Sequence, residues 1–150
     1  MAFLSLYDGI ADYLTLYDIN PEMLEAQKLD ILNALPDVNI SIDPSTIRDA
    51  DVVVFTAGKA RTPDMTSRSA LLETNKEIVA SCAPHFVGFD GILILVTNPI
   101  DRLNLYTQNL FGLEPDRCLG FGAQLDGARF ALEVRSRYPD LLDECIVLGE

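Results

Sequence analysis

Two hydrophobic periodicities alternate along the chain. The runs YLTLYDI (13–19), DVVVFTAG (51–58), GILILVTN (91–98), CLGFG (118–122) and ECIVLG (144–149) are short, apolar or β-branched, and finish at or beside Gly, Asn or Asp. Such runs predict buried strands. Between them the spacing changes to that of a helix. PEMLEAQKLDILNAL (21–35) puts Met23, Leu24, Leu32 and Leu35 on related faces, and SRSALLETNKEIVASCAPHF (67–86), IDRLNLYTQNLFG (100–112) and LDGARFALEVRSRY (125–138) repeat the pattern. Pro21 just inside the first helix and Gly112 just beyond the third are start and stop signals. Proline lacks an N–H that a first turn leaves unbonded anyway, and glycine accepts the left-handed backbone of a helix exit. VNISID (38–43) predicts one further strand.

Strands alternating with helices of this length imply βαβ crossovers, and so an α/β fold with a doubly wound parallel sheet covered on both faces. Ligands of such sheets bind outside the carboxyl ends of the strands. Those ends are Asp18, Gly58, Asn98 and Gly122. Asp126 and Arg129 follow the same edge, three residues apart and hence on one helix face. They either pair with each other or face a ligand.

Composition narrows the function. The 150 residues are 49% hydrophobic and 23% charged without a low-complexity tract, which fits one soluble globular domain with a sizeable core. The formal charge of −12 argues against a nucleic-acid partner, because neutralising phosphates requires clustered Lys and Arg. Cys82, Cys118 and Cys145 are scattered and lack a C-x-x-C spacing, so neither a disulfide framework nor a metal site is expected, and a reduced cytoplasm fits best. The opening MAFLSLYDGIADYL carries Asp8 and Asp12 and no basic start, unlike a secretory signal. GILILV is too short to cross a bilayer core of roughly 30 Å.

LYDIN, VVVFTAG, RSALLETN, VTNPID and GFGAQLDGARF, in this order and spacing, resemble the NAD-binding half of the lactate and malate dehydrogenases. The resemblance covers essentially the whole chain and implies a Rossmann-like fold with NAD as cofactor. Asp18 then stands where an acid bonds the adenosine ribose hydroxyls and disfavours the extra phosphate of NADP; by position alone it equally starts a turn. Gly58 would let backbone approach the cofactor, or is an ordinary turn glycine. The resemblance also implies that Asn75, Asn98 and the backbone of Val96 and Thr97 contact NAD, that Asn98 touches substrate as well, and that the Asn98–Pro99 bond is cis.

The same resemblance assigns the charged groups. Arg68 would polarise the substrate carbonyl, Arg129 would clamp the substrate carboxylate through its planar fork, and Asp126 would orient a catalytic histidine. Arg61 would select the substrate side chain, where an arginine favours a second carboxylate and thus malate and oxaloacetate over lactate and pyruvate. The loop between the two arginines is one residue longer than the family pattern, and Asp64 stands where glycine is usual. Lactate or another 2-hydroxy acid is therefore the alternative substrate, and a non-catalytic nucleotide-binding or interaction module is the alternative class.

A catalytic histidine would follow VLGE, where the sequence stops at Glu150, and His85 is in the wrong place, expected only as a surface or cap residue. The family's first strand and G-x-G-x-x-G turn would precede MAFLSLYDGI. The chain thus reads as a Rossmann fragment without its central strand or a C-terminal substrate domain. The neighbours YLTLYDI and DVVVFTAG are expected to lack the strand between them, and the isolated chain to show neither malate oxidation nor tight NAD binding. Oligomerisation of the full-length protein is expected by the same resemblance.

Overall fold

The computed structural model describes residues 1–60, 62, 68–140 and 147, with backbone alone for Arg68. Arg61 and, apart from Val147, the strand predicted at 144–149 lie outside the described residues. The chain divides into two compact units, Met1–Ala50 with His85–Phe89, and Asp51–Pro84 with Asp90–Glu150.

The first unit runs α1 (Ala2–Tyr7), β1 (Tyr13–Thr15), α2 (Pro21–Ala34), β2 (Asn39–Ser41) and a 3-10 turn (Pro44–Asp49). β1 and β2 are parallel, with Tyr13 opposite Asn39 and Thr15 opposite Ser41, so VNISID does supply a strand. α2 begins where its sequence says: Asn20 Oδ1 accepts the Met23 N–H at 3.1 Å and Pro21 occupies the first turn. Its inward stripe differs from the expectation. Ile31 is the buried residue, flanked by half-buried Leu24, Leu32 and Leu35, while Met23 is 53% exposed. Residues 24, 31, 32 and 35 keep helical spacing, and Met23 falls one position off that line.

The second unit runs β3 (Val52–Phe55), α3 (Arg68–Cys82), β4 (Ile92–Leu95), α4 (Ile100–Phe111), β5 (Cys118–Gly120) and α5 (Gln124–Arg137). The three strands form one parallel sheet in the order β3-β4-β5. Alternation along each strand sends Phe55, Leu93, Leu95 and Cys118 into the core, which Leu71, Leu72 and Val79 of α3 and Ile100 and Leu103 of α4 complete. α3 lies against α4, and α4 against β5. α4 stops at Gly112, whose φ of 68° is the left-handed exit a glycine accepts.

The strands are shorter than the apolar runs that predict them. Thr56–Gly58 and Val96–Asn98 lie beyond the strands and form the exits after β3 and β4. Among the described residues, hydrogen bonding joins β1 only to β2, and β3 only to β4, so the five described strands make two sheets.

Candidate functional site

Because β3, β4 and β5 are parallel, their exits emerge on one edge of the sheet. Val96 N–H donates to the Phe55 carbonyl at 2.9 Å and Phe121 N–H to the Leu95 carbonyl at 2.8 Å, so pairing continues one residue past β4 and past β5 before the chain turns. This edge gathers Gly58, Val96, Thr97, Asn98 and Gly122. The Asn98–Pro99 peptide is cis, as the resemblance implies. Pro99 then caps α4, and the Asn98 side chain is exposed at its N-terminal end.

Two side chains tie the β3 exit to the β4 exit. Thr97 is buried and its Oγ1 donates to the Ala57 carbonyl at 2.8 Å. Asn75, on α3, is 1% exposed. Its Oδ1 accepts the Lys59 N–H at 2.7 Å and its Nδ2 donates to the Asn98 carbonyl at 2.6 Å. These two backbone partners fix which end of the amide is oxygen, since a peptide N–H can only donate and a carbonyl only accept. The expected direct contact of Asn75 with NAD is not what this geometry offers: both ends of the amide are engaged with backbone and the side chain is closed to solvent.

Gly58 has no left-handed φ. An added Cβ would overlap Thr97 Cγ2 and come within 3.4 Å of Asn75 Oδ1, so packing between the exits requires glycine here. At Gly122 an added Cβ would stand 2.9 Å from Ile100 Cγ2, which draws the β5 exit close to the start of α4. Below the edge, Asn104 Nδ2 donates to the Cys118 carbonyl at 3.2 Å and Cys118 Sγ donates back to Asn104 Oδ1 at 3.2 Å.

Asp126 and Arg129 lie in the first turns of α5, directly after the β5 exit. Arg129 Nη1 is 3.1 Å from Asp126 Oδ1, and the side chains are 69% and 66% exposed. The sequence expects them to face different partners, whereas here they form the local pair. Three-residue helix spacing makes that pair the default, and such exposed pairs contribute only about 0.3–0.5 kcal/mol. Arg68 opens α3 and Arg61 precedes it outside the described residues.

In the first unit, Asp18 is exposed just past β1, with Oδ1 accepting the Asn20 N–H at 2.8 Å. It borders a pocket of about 140 Å³ whose lining includes Leu16, Tyr17, Met23, Leu24 and Ile31. An apolar wall with a carboxylate at its rim suits a planar base joined to a sugar diol, so these residues fit the adenosine end of NAD. His85 is half-buried and not a free surface residue: its Nε2 is 3.2 Å from Tyr17 Oη and the rings are 4.9 Å apart.

Residues 1–120 match the lactate/malate dehydrogenase NAD-binding domain. The chain belongs to the lactate/malate dehydrogenase family. It is 34% identical over 144 residues to L-lactate dehydrogenase of Staphylococcus saprophyticus, covering 91% of this chain and 45% of that one. Among solved structures, the minor L-lactate dehydrogenase of Enterococcus mundtii superposes with a TM-score of 0.81 at 32% identity, covering 92% of this chain and 46% of that one. The malate dehydrogenase of Aeropyrum pernix gives 0.81 at 29%, covering 92% and 47%. The chain spans about half the length of these relatives. Its fold is the NAD-binding domain of these oxidoreductases, and no helix among the described residues is long and apolar enough to cross a membrane.

Proposed function

We propose that this chain is the NAD-binding half of a cytoplasmic dehydrogenase that interconverts a 2-hydroxy acid and its 2-oxo acid. The single observation that supports this best is the shared edge: three parallel strand exits open on it, the first carrying Gly58 and the second Thr97 and Asn98, and α5, bearing Arg129, starts directly behind the third. NAD, when bound, supplies the hydride acceptor. This chain's residues do the holding. Asp18 grips the ribose diol, the exits of β3 and β4 flank the nicotinamide end, Arg129 exchanges Asp126 for the substrate carboxylate, and Arg68 stabilises charge on the substrate oxygen. Asp126 is then free to orient a histidine contributed by the other half.

For the substrate, lactate and pyruvate are the better supported reading, because relatives at 34–36% identity are L-lactate dehydrogenases. This replaces malate as the leading expectation. Arg61 sustains malate and oxaloacetate as the second reading, since a guanidinium at the specificity position complements a second carboxylate.

A chimaera separates them. These 150 residues would replace the matching part of the Staphylococcus saprophyticus enzyme, whose own sequence supplies what precedes and follows, and NADH oxidation would be followed with pyruvate and with oxaloacetate. Preference for pyruvate supports the first reading. Preference for oxaloacetate, abolished by Arg61→Gln, supports the second, and a folded chimaera that oxidises NADH with neither contradicts both.

A further inference from the structure

We propose that Asn75 is a positioning residue that sets the separation of the β3 and β4 exits and acts on the cofactor only through their backbone; the cofactor part of this rests on the function proposed above. α3 buries a stripe of Leu71, Leu72, Val79 and Cys82, and among the described residues Asn75 is the one polar residue set within it. A polar amide in an apolar stripe is costly unless both of its ends are satisfied. Here they are satisfied by two different loops, Lys59 N–H on one side and the Asn98 carbonyl on the other. One planar amide therefore spans the gap between the exits, and its rigidity fixes their spacing. Thr97 supplies the second tie, to the Ala57 carbonyl, and Gly58 lies between the two with no room for a side chain. Both ties act on backbone, so an exposed side chain such as Asn98 inherits its position from a residue that a ligand need never touch.

Hydrogen exchange and NADH titration of the 150-residue chain, both followed by amide NMR, test this. In the unsubstituted chain the Lys59 amide is expected to exchange slowly. Asn75→Ala should speed it about tenfold or more, the loss of one buried bond, while the Val96 amide, bonded to Phe55 within the sheet, stays protected as the control. Asn75→Asp is the second variant: it keeps the acceptor for Lys59 but sets an oxygen against the Asn98 carbonyl, so Lys59 should remain slow while the resonances of residues 97–100 move. On addition of millimolar NADH, shifts at Lys59 and Asn98 should appear in the unsubstituted chain and weaken at least severalfold in both variants.

Unchanged Lys59 exchange in Asn75→Ala would overturn the tie itself. Altered exchange together with undiminished NADH response would overturn its role toward the cofactor. If the unsubstituted chain gives no NADH response at all, the proposed function and the cofactor role fail together, and the exchange data decide the tie independently.

Discussion

A Cβ at Gly58 would meet Thr97 Cγ2 at the tightest point of the strand-exit edge, so Gly58→Ala should cost about 1–3 kcal/mol, the usual range for overpacking. Thr97→Ser removes that methyl and keeps the hydroxyl donor to Ala57, and the double variant should recover much of the loss; urea unfolding of the four proteins measures the coupling. In the proposed function, Arg129 is the clamp on the substrate carboxylate. In the chimaera, Arg129→Lys keeps the charge but loses the planar fork, and kcat/KM should fall about a hundredfold or more. A loss below about threefold would mean that Arg129 is only the partner of Asp126. Cys118 belongs to the same scale: burial pushes its thiol up to about 11, and Cys82 is raised for the same reason. A raised thiol pKa means the native state holds its proton more tightly than the unfolded chain. Its contribution is whole below the ordinary thiol value of 9.0 and fades as pH rises toward 11. Stability should decline across that window, and less steeply in Cys118→Ala.

Capping residues govern the elements. Gly112 has a φ of 68° and open space around it, so Gly112→Ala should cost about 1 kcal/mol through the backbone alone and Gly112→Asn less, as read by thermal unfolding. What the sequence made legible tracks how local the cause is. Pro21 and Gly112 announce the start of α2 and the end of α4 by their own chemistry, and Val52–Phe55 and Ile92–Leu95 announce strands by an unbroken apolar run. Ile31 as the inner residue of α2 and the early end of each strand depend on packing partners far along the chain, which periodicity does not carry. At the site, family motifs located the edge, including the cis bond before Pro99. The bridging by Asn75 was not legible, although an amide inside the stripe Leu71, Leu72, Val79 and Cys82 was the available signal. The Tyr17–His85 contact joins residues 68 apart and left no local trace.

Across the whole molecule, a parallel sheet is ordinarily covered on both faces. In the second unit one face is packed with Leu93 and Leu95 fully buried, while Val52, Val54, Ile92 and Leu119 on the other are 50, 40, 40 and 45% exposed. Leu93→Ala should therefore cost about 2–5 kcal/mol and Val54→Ala about 1 kcal/mol or less in urea unfolding. A net charge of −12 also repels itself, and an anionic dinucleotide must bind against that field. In the proposed function the strand exits of this chain hold NAD, and Asp18 reads the unphosphorylated ribose. Residue-resolved NMR of the chain titrated with NADH and separately with NADPH tests it most directly. Millimolar NADH should shift the amides of Asp18–Asn20, 57–59 and 96–98, with a clearly weaker response to NADPH; shifts confined to other surfaces, or equal responses to the two dinucleotides, would rule this binding mode out.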